Sequence, residues 1–226
     1  MCKLLNMLQA STLKFLKDLK KNNNKPWFDK HRAHYEAAKK DFADFIQRLI
    51  DAHATKDSGI RSLLAKDCVF RINRDIRFSK DKSPYKTNFG ASITRGGKKS
   101  GFAGYYFHCE PGDSFIGGGI WMPMPPELKK VRQEIDYGFD EFSKIIGSKK
   151  FKSVYGKLHE EESMTLSKVP QGFEKDSPSA DFLKMKSFIA LKSLSESDLM
   201  STSLLKKALD AFSTLQPLIE FINQAL

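Results

Sequence analysis

The chain is 226 residues long, 40% apolar and 12% aromatic, with 38 Lys and Arg against 27 Asp and Glu for a net charge of +11. Its 18 Phe supply far too much apolar mass for a collagen-like, disulfide-scaffold or wholly disordered chain, and the length suits one large domain or two small ones with an unstapled core. The charge is uneven: residues 61–100 hold 11 basic and 3 acidic groups, a net +8, whereas residues 1–60 carry +5 and residues 101–226 carry −2, and an excess so concentrated attracts anions.

In chain order, residues 11–21 read as a short amphipathic helix, with Ser11 as N-cap and Leu13, Leu16 and Leu19 at helical spacing. Asn22-Asn23-Asn24-Lys25 is a turn. After it Asn24 caps, and Pro26 opens, a second helix running to about residue 53 on the stripe Phe28, Tyr35, Phe42, Phe45, Ile46 and Leu49. Residues 54–67 read as a connecting loop. From Cys68 the period changes to two, predicting strands over 68–78, 88–95, 103–110 and 114–122, with turns at Gly96-Gly97-Lys98-Lys99-Ser100-Gly101 and Pro111-Gly112-Asp113. Links this short favour an antiparallel meander over parallel crossovers. Pro123-Met124-Pro125-Pro126 ends the sheet. Helices follow over about 126–136 and 138–147, then an irregular polar stretch over 151–186, a late strand over 187–194 and C-terminal helices over 197–225 with a kink at Pro217. The expectation is a single α+β domain over 1–226. An antiparallel sheet of about four to five strands, centred on 68–122, packs with helices from 11–53, 126–147 and 197–225.

Three cysteines, Cys2, Cys68 and Cys109, form neither a C-x-x-C pair nor a zinc cluster, which points to a reducing compartment. Cys68 and Cys109 close β-like runs and read as small buried hydrophobes. No run approaches the roughly 18 apolar residues needed to span a bilayer. Met1-Cys2-Lys3-Leu4-Leu5-Asn6-Met7-Leu8 breaks too soon for a signal-peptide core. A cytoplasmic protein without a membrane partner is therefore expected.

The informative segment is Arg71-Ile72-Asn73-Arg74-Asp75-Ile76-Arg77-Phe78-Ser79-Lys80-Asp81-Lys82-Ser83-Pro84-Tyr85-Lys86. As a strand it shows Phe70, Ile72, Arg74, Ile76 and Phe78 on one face and Arg71, Asn73, Asp75 and Arg77 on the other. Arg74 then sits in an apolar row, where it needs a carboxylate, a polar cavity or a ligand, because burying an unpaired charge is costly. On the other row, neighbours lie roughly 7 Å apart, so Asp75 offsets only part of two arginines. The guanidinium forks left over match phosphate or carboxylate oxygens. Lys80, Lys82 and Lys86 follow on a loop stiffened by Pro84, which also presents Tyr85.

This segment resembles the signature of the family catalogued as domain of unknown function 2461. Asn23-Asn24-Lys25-Pro26-Trp27-Phe28-Asp29, Gly118-Gly119-Ile120-Trp121-Met122-Pro123 with Pro126, Leu128 and Arg132, and, more faintly, Leu166-Ser167-Lys168-Val169-Pro170-Gln171-Gly172-Phe173 are similar to it as well. The resemblance covers nearly the whole chain, with the last forty residues matching only by pattern. It implies one domain of shared architecture, and it transfers no reaction, because the family has no assigned activity.

Other residues carry weaker signals. His31 and His34 are three apart on a helix with no identifiable further ligand, and ordinary polar helix positions explain them better than a metal. Gly117-Gly118-Gly119 lacks dinucleotide and P-loop spacing; glycines inside a strand let another group approach, with Tyr105 or Tyr106 packing favoured over a ligand and Trp121 expected in the core. His108 and Glu110 share a strand face with Tyr106, and an acid/base cleft follows if that face neighbours Arg71, Asp75 and Arg77.

The leading expectation is a site for a phosphorylated or other anionic small molecule, built from Arg71, Arg74, Arg77, Lys80, Lys82 and Lys86. Asp75 or Asp81 would orient the arginines or act as base, Tyr85 would contact the ligand, and His108 is a further catalytic candidate. Chemistry on phosphate-containing substrates is the natural class if the site turns over, since clustered guanidinium groups stabilise charge developing on such oxygens. One alternative is an internal ion-pair network in a scaffold or partner-binding protein. Another is low-specificity nucleic-acid binding with Phe78, Tyr85 and Phe89 as stacking groups. No cofactor is specified by the sequence.

Overall fold

The computed structural model describes residues 6–226; Cys2 and most of the N-terminal segment considered above as a leader lie outside the described residues. β1 (Phe89–Ile93), β2 (Gly104–Cys109), β3 (Ser114–Ile120) and β4 (Phe188–Leu194) form an antiparallel sheet in the order β1-β2-β3-β4. With helices at both ends of the chain, this is the α+β arrangement that the alternating runs and helical stripes predict. No described helix is long and apolar enough to cross a membrane.

The chain divides into two compact units. The first takes in residues up to Lys98, Tyr106–Ile116 and Ser193–Leu209. It opens with α1 (Ala10–Lys21), α2 (Lys25–Lys30), α3 (Arg32–His53) and α4 (Ala65–Cys68). Ser11 does not cap α1. The Asp41 carboxylate of α3 reaches across instead and accepts the Gln9 amide at 2.9 Å and the Thr12 hydroxyl at 2.6 Å. Asn24 caps α2 as expected, accepting from the Trp27 amide at 3.0 Å. The single helix expected from Pro26 onward breaks at His31 (φ −106°, ψ 18°). There the imidazole stacks on Trp27 at 4.1 Å and its Nδ1 meets the Trp27 carbonyl oxygen at 2.8 Å, the same oxygen that accepts the His31 amide at 3.1 Å. Phe42 and Phe45 of α3 lie against Phe89 and Phe107 of the sheet, with ring centroids 5.4 and 5.1 Å apart. Burying each such side chain contributes about 1.5–3 kcal/mol, so this layer fixes the inner face of β1 and β2.

The strand expected over 68–78 is not formed. Its start, Cys68, ends α4, and only Val69 and Asn73 make isolated antiparallel bridges, to Ala91 and Tyr85. Beyond Arg74 the aspartates bind their own loop, with Asp75 accepting the Arg77 amide and Asp81 the Ser83 amide. Such local turns take the backbone away from a ladder.

The second unit comprises Lys99–Tyr105, Gly117–Lys192 and Asp210–Leu226. It contains α5 (Pro125–Tyr137), α6 (Phe139–Gly147), α7 (Lys149–Tyr155), α8 (Ala180–Leu183), most of β4 and the greater part of α10 (Leu204–Gln224). The short α9 (Glu196–Leu199) and the first turns of α10 belong to the first unit. The stretch 151–186, expected to be irregular, holds the end of α7, all of α8 and a bridge between Thr165 and Met185. α10 runs through Pro217 as one helix. Phe142 packs on Phe182 and Phe221, with centroids 5.1 and 5.7 Å apart. The triple glycine is explained by backbone rather than by a tyrosine ring. A Cβ on Gly119 (φ 117°) would lie 2.0 Å from the Phe188 carbonyl oxygen, and one on Gly117 would lie 2.5 Å from that of Ala190. Trp121, expected in the core, is 59% exposed.

Candidate functional site

The basic segment folds as an arm in which residues 69–74 run antiparallel to 84–91. The Phe70 amide donates to the Gly90 carbonyl at 2.9 Å, the Lys86 amide to Ile72 at 2.8 Å and the Arg74 amide to Pro84 at 2.9 Å. Between the first two of these bonds the outgoing limb advances from Phe70 to Ile72 while the returning limb runs from Lys86 to Gly90. Thr87, Asn88 and Phe89 therefore carry a bulge, a device that re-aims side chains beside functional sites. Asn23, from the turn before α2, fastens the returning limb like a substitute strand. Its Nδ2 donates to the Tyr85 carbonyl at 2.9 Å, and its Oδ1 accepts the Tyr85 amide at 3.1 Å.

The tip of the arm, residues 75–83, satisfies much of its own charge. Arg77 grips Asp75 with Nε at 3.0 Å and Nη2 at 2.7 Å, and Arg74 pairs with Asp81, which also accepts the Ser83 hydroxyl. The Arg77 side chain and backbone amide hold the Asp75 carboxyl below its ordinary value. Ser83 first, and then Arg74, hold the Asp81 carboxyl well below its own. Arg74 is therefore answered by a carboxylate and does not sit in an apolar row. Of that row only Ile72 is buried, at 2% exposure, whereas Phe78 is 95% exposed. Lys80 is exposed, and Lys82 donates to the Ile76 carbonyl at 3.1 Å.

At the foot of the arm the balance reverses. Lys86 is half-buried and lies over the Phe70 ring, 5.3 Å from its centroid, with no carboxylate within ion-pair distance of it or of Arg71 among the described residues. Burial, and after it the like charge of Arg71, hold the Lys86 ammonium below its ordinary value.

On the same side, β2 presents Tyr106, His108 and Glu110 in one hydrogen-bonded row. The Tyr106 oxygen lies 3.1 Å from His108 Nδ1, and His108 Nε2 lies 3.3 Å from Glu110 Oε2. The bulge supplies the supports: the Thr87 hydroxyl donates to Glu110 at 2.7 Å, and Asn88 Nδ2 stands 3.4 Å from His108 Nδ1. Phe115 stacks on the imidazole at 4.6 Å, and Lys20 of α1 stands 3.8 Å from Glu110. Tyr106 lies over Gly90, whose Cβ would fall 2.5 Å from the phenol oxygen, and 6.4 Å from the Phe70 ring. Burial, with a smaller push from Glu110, raises the Tyr106 phenol to about 12 and keeps it a proton donor.

The structure thus groups Arg71, Lys86, Tyr106, His108 and Glu110 around Phe70 and the bulge, and sets Arg74, Asp75, Arg77, Lys80, Asp81 and Lys82 toward the tip. The acid/base face foreseen for His108 gains Thr87 and Asn88 as neighbours, while Asp75 and Arg77 are engaged with each other. Tyr85 is 6% exposed, stacked on Phe28 at 4.0 Å, and Phe89 is 2% exposed, so of the three proposed stacking groups only Phe78 is open to a nucleic acid. Cys68 and Cys109 are free and buried, and burial pushes the Cys68 thiol up to about 11 and the Cys109 thiol higher still. The His31 and His34 rings lie 5.7 Å apart, and no group of three metal-ligating side chains occurs among the described residues. The sequence reading missed Asn23, Lys20, Thr87 and Asn88. Gly90, a glycine inside a strand run, was the available cue to a close approach there.

These features define an α+β protein whose antiparallel sheet carries a basic, bulged arm beside a tyrosine–histidine–glutamate row. Residues 11–221 match the family described as conserved hypothetical protein (DUF2461), and the chain belongs to that family. No curated protein and no solved structure matches it.

Proposed function

We propose that this protein binds a phosphorylated or other anionic small molecule at the foot of the arm, with Lys86 and Arg71 as the charges that meet it. One observation carries the reading: the half-buried Lys86 lies over Phe70 within reach of the Arg71 charge, neither has a carboxylate within ion-pair distance among the described residues, and Asp75, the acid that feels Arg71, is gripped by Arg77. An anion there gains two charge-assisted contacts and relieves their repulsion. The two buried free thiols fit a reducing, cytoplasmic setting as part of the same proposal. Arg74 and Arg77 support a different role. Their pairing with Asp81 and Asp75 favours the ion-pair-network reading for the tip, where they shape the loop and leave the ligand to the foot.

Titration calorimetry at low salt with inorganic phosphate, nucleotides and sugar phosphates tests this. Lys86→Met is expected to weaken the best-bound anion by about tenfold or more, the size of one charge-assisted contact, and Arg77→Ala by less than about twofold. Equal losses in both variants, or no anion bound by the wild type, overturn the proposal.

A further inference from the structure

We propose that Tyr106, His108 and Glu110 form a proton-gated donor for the ligand, in which protonation of His108 turns the Tyr106 hydroxyl outward onto an oxygen of the bound anion. The inference rests on the anion-binding reading above and adds how the site recognises and releases its ligand.

The hydrogen-bond pattern sets the direction of every proton. A carboxylate only accepts, so the Nε2–H of His108 donates to Glu110, and in the neutral ring Nδ1 carries no proton. Nδ1 therefore accepts, from the Tyr106 hydroxyl at 3.1 Å and from the Asn88 amide nitrogen at 3.4 Å. In this state the phenol proton points inward and is spent within the protein. When Nδ1 takes a proton from solvent, the bond reverses. The imidazolium N–H donates to the phenol oxygen, the Asn88 amide turns its nitrogen away from Nδ1, and the O–H of Tyr106 must find another acceptor. No bond other than N–H forms or breaks.

The surroundings favour this exchange. The groups that face the imidazole are Glu110 and Tyr106 on its own strand, Asn88 from the bulge and the Phe115 ring from β3. Glu110 is the one charged neighbour in direct contact and stabilises the imidazolium. It is fixed by Thr87, with Lys20 as its more distant counter-charge. Burial keeps Tyr106 protonated throughout, so it serves as a donor and not as a phenolate. The freed hydroxyl is then required to meet the anion that Lys86 holds, and both groups border the Phe70 ring, the Tyr106 ring 6.4 Å and the Lys86 ammonium 5.3 Å from its centroid. An anion held by Lys86 thus finds a second donor only when His108 is charged, and affinity rises as pH falls through the range in which imidazoles titrate, about pH 5 to 8.

Sulfate is the probe, because it does not itself titrate near neutrality. Calorimetry in paired buffers of different ionisation enthalpy, together with an NMR titration of the imidazole, reads both affinity and proton uptake. The wild type is expected to bind sulfate about tenfold more tightly near pH 5.5 than near pH 8, with roughly half a proton taken up per anion between these limits. Tyr106→Phe, which keeps the ring packing, loses most of that gain, and saturating sulfate moves the wild-type His108 titration to higher pH. If Tyr106→Phe responds to pH as the wild type does, or sulfate leaves the His108 titration where it was, the relay is wrong while the anion site stands. Should Lys86→Met bind sulfate as tightly as the wild type at both pH values, the anion-binding reading falls and takes the gate with it.

Discussion

The tip and the foot of the arm come from one run of sixteen residues, yet they handle charge in opposite ways. At the tip, each of two arginines closes on an aspartate only two or seven positions away, Arg77 on Asp75 and Arg74 on Asp81. At the foot, Lys86 and Arg71 have no such acid, and their surroundings are assembled from Phe70, the bulge and a strand some twenty residues further on. A count of basic residues treats the two alike. Position separates the arginines: Arg74 and Arg77 fold back onto aspartates of their own loop, where the exposed Lys80 and the carbonyl-bound Lys82 remain as solvated charges, whereas Arg71 and Lys86 stand where the backbone is committed to pairing.

Gly90→Ala is the strongest way to break this contrast. The new methyl would press on the Tyr106 oxygen from 2.5 Å and the ring carbon behind it from 3.2 Å. The ring has little freedom to yield, so overpacking of about 1–3 kcal/mol is expected in urea unfolding. The displaced phenol also leaves His108, and the pH response proposed for anion binding at the foot is expected to be lost. A variant of unchanged stability that keeps the pH response would show that Gly90 places nothing.

Asn23→Ala is next in size. It strips both the donor and the acceptor that Tyr85 uses, leaving a partly buried amide and carbonyl to find water, for a loss of about 1–3 kcal/mol. Hydrogen exchange is expected to accelerate at the Tyr85 amide and along the returning limb, with no change at the Ser83 amide held by Asp81. Uniform acceleration across the arm would mean that foot and tip open together.

Much of this architecture was open to inspection in the sequence. Period-two runs mark β1, β2 and β3, a late strand is expected at 187–194 where β4 forms, and Asn24 with Pro26 marks the start of α2 by local chemistry alone. The run at 68–78 alternates just as well and still does not become a strand, because alternation states which side is apolar without supplying a ladder. Asp75 and Asp81 offered the backbone nearer partners. The site divides along the same line. Charge at 71–86 and the two-residue spacing of Tyr106, His108 and Glu110 are properties of one segment each and can be read directly. That Thr87 and Asn88 swing onto His108 and Glu110, that Asn23 splices into the arm and that Lys20 stands by Glu110 are facts of register between distant segments, and a bulge resets register without a composition of its own.

The smallest expected effect sharpens the comparison most, because it concerns where each region titrates. Asp75 and Asp81 have folded-state carboxyl values below their ordinary ones. Whatever their pairs contribute is therefore complete above the unfolded carboxyl value, about 3.9, and is lost as pH falls through the lower folded value. The Arg77–Asp75 pair lies in solvent, where an exposed ion pair is worth little, so Arg77→Ala should leave the urea midpoint unmoved. NMR of the backbone amides of Arg77 and Ser83, which donate to these two carboxylates, is the direct readout. They should hold constant from about pH 8 down to about pH 5 and shift only in stronger acid. If the tip amides already shift well above about pH 5, the Asp75 and Asp81 pairs are coupled to groups beyond their own loop, and Arg74 and Arg77 rejoin Arg71 and Lys86 as candidates for the proposed anion site.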